Sequence, residues 1–174
     1  RKKTKPAEEN NFSKQKLEIL LKGLESFVQK LSPKKVKTTW DDYYTDTILG
    51  DDYLAAKTTL VKSFSNFIDF KSVIDLGAND GYFSLLFSDD KAVIATDADH
   101  NCVNELYLKI KSENRGNILP LVNNLISPSP AIGWANTERD SITARLKADL
   151  VMALALVHHL AIASNVPLAL IADC

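Results

Sequence analysis

Apolar residues at 17, 20, 21, 24, 27, 28 and 31 recur at intervals of three and four, so one face of a helix spans residues 12–31 until Ser32 and Pro33 close it. A second helical stretch covers residues 51–69. Its stripe predicts Tyr53, Ala56, Leu60, Phe64 and Phe67 facing inward, with Lys57 about one turn beyond Tyr53. Past residue 70 the pattern changes. Short apolar runs in SVIDLG, KAVIATDAD, GNILPLVNNL and ADLVMALAL alternate with helical stretches in DGYFSLLFS, NCVNELYLKIKSE, residues 141–145 and the segment opening at HHL. Buried strands alternating with helices predict an α/β domain: a parallel sheet with helices on both faces. The expected division is a helical segment, residues 1–70, packed on a sheet domain, residues 71–174.

Composition narrows the class. The chain has 174 residues, 45% of them hydrophobic, enough for one sizeable core. The net charge of -1 hides an asymmetry. Residues 1–40 carry 11 Lys or Arg against 4 Asp or Glu, which leaves 21 − 11 = 10 against 22 − 4 = 18 for the rest. The basic front is a solvated face or a weak RNA-contacting surface. Two cysteines, Cys102 and Cys174, make no disulfide scaffold and have no metal-ligand spacing, which fits a reducing, cytoplasmic setting without a metal. No apolar run is long enough to span a bilayer. The start RKKTKPAEENN has neither an initiator Met nor the hydrophobic segment of a secretory signal.

The informative stretch is VIDLGANDGYFS, residues 73–84, where an apolar strand meets a bend with Gly77 and Gly81. Glycines there let backbone approach a ligand. The next predicted strand ends at Asp97, 22 positions after Asp75, the reach at which a carboxylate accepts hydrogen bonds from ribose hydroxyls. A dinucleotide fold wants Gly-x-Gly-x-x-Gly at this bend. Here Asp75 and Asp80 flank it, and their charge opposes a pyrophosphate. A cationic, phosphate-free nucleoside matches better, and S-adenosyl-L-methionine is one. As alternatives, the two acids cap and organise the turn, or the site takes NAD in an oxidoreductase.

With VIDLGANDGYFS and VIATD in this order, residues 71–160 resemble a class I S-adenosylmethionine-dependent methyltransferase with a Rossmann-like sheet. WDDYY, YLAAK, SPSPAIGWANTERD and ADLVMALALVHHLAIASNVPL are similar to a narrower bacterial group labelled nodulation-protein-like. The resemblance implies a donor site made by Asp75, Gly77, Ala78, Asn79, Gly81, Asp97, Ala98, Asn123, Asn124 and Leu125. It implies an Asp at the position of Asn124, whose side-chain oxygen can still accept a hydrogen bond from an adenine amino group. It also implies further strands, so the sheet is expected to be cut short after the fourth.

Methyl transfer needs an acceptor oxygen or nitrogen held in line with the donor methyl, and no metal is intrinsically required. His158 and His159 follow the fourth predicted strand at the ligand edge. Either one acts as a base near neutral pH, or the pair packs and caps the following helix. Trp134, with Asn136, Glu138 and Arg139, forms an acceptor wall or only anchors its own loop. At the front, Trp40, Tyr43, Tyr44, Tyr53 and Lys57 fold over the cleft, and Lys57 is expected to meet a carboxylate. The acceptor is unidentified, with a small molecule favoured over RNA. A noncatalytic S-adenosylmethionine- or nucleic-acid-binding module is the remaining reading.

Overall fold

The computed structural model describes residues 12–31 and 51–173. The expectations placed on Trp40, Tyr43 and Tyr44 lie outside them, as does much of the basic front. The chain divides into two compact units, Arg1–Lys35 and Val36–Cys174. The first contains α1, Lys14–Lys30, whose N-cap Ser13 accepts a hydrogen bond from the Lys16 N–H at 3.3 Å.

In the second unit, four strands form one sheet: β1 (Ser72–Leu76), β2 (Ala92–Asp97), β3 (Ile118–Val122) and β4 (Leu150–Met152). Their order is β3-β2-β1-β4 and every pairing is parallel. The sheet is therefore the Rossmann-like one expected from the alternation. Connections run outward from β1 through β2 to β3, then cross to its other side at β4. Ligands of open parallel sheets sit at such a reversal, beyond the carboxyl ends of the strands.

Val73, Val93, Ala95 and Met152 from the strands pack with Leu106 and Ile110 of α3 (His100–Ser112) and with Phe70, Phe83 and Phe87. At the opposite edge Asp149 ties β4 to β1. Its Oδ2 accepts the N–H groups of Lys71 and Ser72 at 2.9 and 3.0 Å and the Ser72 hydroxyl at 2.9 Å. These donors hold its carboxyl below the ordinary value.

Two local expectations are corrected. The stretch after the bend does not open a regular helix. It turns through Asn79 (φ 52°) and Gly81 (φ 79°) into a single 3-10 segment, Ser84–Phe87. The helix α2, Asp51–Ser65, is also rotated by about one residue, or about 100°. Leu54, Lys57, Thr58 and Val61 face the protein, while Leu60, Phe64 and Phe67 are exposed, Phe67 at 83%. This rotation lets Leu54 and Val61 pack on the core and places the Lys57 ammonium 4.6 Å from the ring centre of Phe83.

Candidate donor-binding site

The loop after β1 is fastened to β2. Gly77 and Ala78 both donate to the carbonyl of Thr96, at 2.8 and 2.9 Å. Asn79 donates its backbone N–H to Asp97 Oδ2 at 2.8 Å, and Asp99 donates to Asp97 Oδ1 at 2.8 Å. One backbone hydrogen bond thus reaches each oxygen of the carboxylate at the tip of β2. A carboxylate offers about four lone-pair sites, so each oxygen keeps one for a further donor. The spacing suits the two neighbouring hydroxyls of a ribose.

Behind the bend Asp75 is 2% exposed and accepts the Ser84 hydroxyl at 2.7 Å. Burial raises its pKa to about 6, against the lowering effects of Ser84 and Lys57; the Asp97 charge adds to the rise. Lys57 is shifted down from its ordinary value by burial, and Asp75 opposes that shift. Asp80 accepts the Tyr82 N–H at 3.1 Å and caps the turn, with its pKa raised chiefly by burial.

A cavity of about 260 Å³ opens beside these groups, near the lower end of small-molecule pockets, roughly 300–1,000 Å³. Gly77, Asn79, Asp97, Ala98, Asn123, Asn124, Leu125 and Lys57 line it, as does His159. These nine expected site residues come together from α2 and from the ends of β1, β2, β3 and β4. Asp75 and Ala78 are buried rather than lining it. Gly81 does not line it either: a Cβ there would come within 2.5 Å of Leu106 Cδ1, so this glycine serves packing against α3. Gly77, at φ 72°, has Leu156 where its Cβ would point, at 3.1 Å.

His158 lies outside the cavity, its ring 4.0 Å centre to centre from that of His159. Burial and then the His158 charge lower the His159 pKa, favouring neutral imidazole. Trp134 is not in the cavity but at a hairpin tip, 86% exposed. The hairpin is held by its own bonds, Ile132 with Arg139 and the Trp134 N–H with Glu138 Oε1 at 2.9 Å. That self-contained turn keeps the indole in solvent.

The apolar wall escaped the sequence reading. It consists of Ile126, Leu154, Ala155, Leu156, Leu160 and Ala163, with Ser164 beside it. ADLVMALAL reads as one strand, yet β4 stops at Met152 and Ala155 turns left-handed at φ 56°. Alanine gives no turn signal, so only the run of small and apolar residues hinted at a lining.

No protein-family model matches the chain. Over 135 residues it is 34% identical to the nodulation protein NoeA of Rhizobium meliloti (strain 1021), a match covering 76% of this chain and 28% of NoeA. The chain is a homologue of NoeA. Its sheet is parallel and Rossmann-like, in the order β3-β2-β1-β4. This NoeA homologue spans little more than a quarter of its relative's length.

Among solved structures it is similar to the bifunctional kinase-methyltransferase WbdD, at TM-score 0.47 and 16% identity over 79% of this chain and 29% of that one. A SAM dependent methyltransferase from Aquifex aeolicus gives TM-score 0.35 and 19% identity over 44% and 50%. Sheet order and register, rather than these overlaps, define the fold of the NoeA homologue. Among its described residues no helix is long and apolar enough to cross a membrane, and no group of three metal-ligating side chains occurs.

Proposed function

We propose that this chain forms the donor-binding core of an S-adenosylmethionine-dependent methyltransferase acting on an oxygen or nitrogen of a small acceptor. The observation that carries the reading is Asp97: a carboxylate at the tip of β2, lining the cavity, with one backbone hydrogen bond to each oxygen and lone pairs left over. Asp97 takes the ribose hydroxyls. Asn123, Asn124, Leu125 and Ile126 border the adenine, polar on one side and apolar on the other. When bound, the donor supplies a methyl group already made electrophilic by its sulfonium.

The protein's share is then orientation and exclusion of water. Leu156 and Leu160 close the wall, and His159 stands as neutral imidazole where an acceptor proton has to go. His158 packs against its ring from outside, tilted by 41°, and positions it. A cytoplasmic site of action goes with this reading, as does the buried free thiol of Cys102.

NAD is disfavoured by the same bend. A pyrophosphate is held by a helix N-terminus, whereas this loop leads into one 3-10 segment with Asp75, Asp80 and Asp97 around it. Calorimetry with S-adenosylhomocysteine, S-adenosylmethionine, NAD and ATP tests the choice. Binding of the first two alone is expected. Asp97→Ala should weaken both by about 10- to 100-fold, the worth of a charged hydrogen-bond acceptor. Tight NAD binding without the sulfur nucleosides would overturn the proposal, and unchanged affinity in Asp97→Ala would remove the ribose assignment.

A further inference from the structure

The apolar stripe of α1 is open to solvent. None of the helix's residues is buried, and the seven that make the stripe, from Leu17 to Leu31, are each 45% to 61% exposed. At about 100° per residue they fall within about 120° of the helix circumference, with Lys14 and Lys16 about 20° outside its two margins. That arc is wider than the narrow seam of a two-stranded coiled coil. Ile19, 72% exposed, lies across the helix from it. A 17-residue helix is near the margin of stability in water. Gly23, with nothing within 4 Å of the place its Cβ would take, weakens the helix further without packing in return. α1 therefore calls for an apolar layer to lie on.

Charge decides which layer. Residues 1–40 hold 11 Lys or Arg against 4 Asp or Glu, a net of 11 − 4 = 7 positive charges, whereas the rest of the chain is negative. Within α1 itself Lys14, Lys16, Lys22 and Lys30 outnumber Glu18 and Glu25, 4 − 2 = 2. We infer that α1 is an interfacial anchor that lies flat on an anionic lipid surface, its stripe among the upper acyl chains and its lysines at headgroup level. Such a surface answers both features at once, because lysine stems are long enough to carry the ammonium back to the headgroups while their methylenes stay in the apolar layer. A second copy offers an apolar face but brings two positive fronts together. RNA answers the charge and leaves the stripe in water. The negative sum of residues 41–174 turns the remainder of the chain away from the same surface, so attachment is oriented.

Flotation of the 174-residue chain with vesicles of phosphatidylcholine, alone or mixed with phosphatidylserine, tests the anchor. The mixed vesicles are expected to bind about 30-fold more tightly, the worth of two net basic charges beside an anionic surface, and high salt should shrink the difference. Leu24→Glu, in the middle of the stripe, should weaken binding to the mixed vesicles by about 10-fold or more, the worth of one leucine withdrawn from water. Leu24→Phe should keep the binding. Lys16→Glu with Lys30→Glu should reduce the lipid preference to about threefold or less. Circular dichroism checks the fold of each variant, and the lysine pair serves if Leu24→Glu misfolds.

Binding to neither vesicle, equal binding to both, or unchanged binding in Leu24→Glu would overturn the anchor. Sedimentation velocity and RNA titration of the same chain identify what replaces it. A dimer that Leu24→Glu dissociates, without vesicle binding, overturns it in favour of a second copy. Salt-sensitive RNA binding without vesicle binding overturns it in favour of a nucleic acid.

Discussion

Asp75 shows how one residue sets stability against function. In the unfolded chain its carboxyl titrates near 3.8, and in the folded one near 6, because burial outweighs the Ser84 hydroxyl and the Lys57 charge. Between these values the folded state holds a proton that the unfolded state has lost. Stability therefore falls as pH rises from about 4 to about 6, by on the order of 3 kcal/mol, and stays lowered above that. Asp75→Asn removes the penalty and keeps an oxygen to accept the Ser84 hydroxyl. Urea midpoints are expected to rise in the variant at pH 7.5 and to differ little at pH 4. Equal shifts at both values would mean that the buried carboxylate is not the cause. The same carboxylate sets up the field behind the bend in which Lys57 sits.

At the scale of elements, the glycines of the bend have separate duties. Gly81 sits at φ 79°, and a Cβ there would press on Leu106, which is 1% exposed, at 2.5 Å. Gly81→Ala combines left-handed strain with overpacking, about 2–4 kcal/mol together, or roughly 5–15 °C in melting temperature for a chain of this size. A thermal melt within 2 °C of the parent, on the scale where about 1 kcal/mol moves the midpoint by some 2–4 °C, would contradict that packing role. The sequence made both glycines visible but not their difference, because Leu106 is 25 residues away on α3 and only the folded chain brings it to Gly81. Strand ends were legible for the same reason that Asp97 was: an apolar run stopping at an acid marks its own edge. The face of α2 was not. Tyr53, Leu60, Phe64 and Phe67 make as good a stripe as Leu54, Thr58 and Val61, and the choice was made by Lys57 over Phe83 and by Thr58, whose hydroxyl lies 3.4 Å from that of Tyr82. Ala155 gave no warning either, since a left-handed alanine is imposed by its neighbours rather than by its own preference.

Across the whole second unit, the cavity is assembled from parts that are distant in the chain. Lys57 precedes β1, Asn79 follows β1, Asp97 ends β2, residues 123–126 follow β3, and lining residues between 154 and 164 follow β4. A ligand in that space bridges both sides of the sheet's reversal, so its binding energy is withdrawn from the unfolded state of the entire unit. At a concentration about 100 times its Kd, a native-state ligand adds about 2.7 kcal/mol. For this length that corresponds to roughly 5–10 °C in melting temperature. S-adenosylhomocysteine is expected to give that rise and NAD none at the same concentration. Amide exchange should slow most in residues 154–164, where the chain has a left-handed Ala155 and a single π-helical segment, His159–Ala163, in place of regular structure. At equal ligand concentration Asp97→Ala should keep only about 0.4–1.4 kcal/mol of that stabilisation, with the slowing reduced to match. If protection stayed confined to residues 76–99, the β4 side would not belong to the donor site, and His159 would have to be sought in another role.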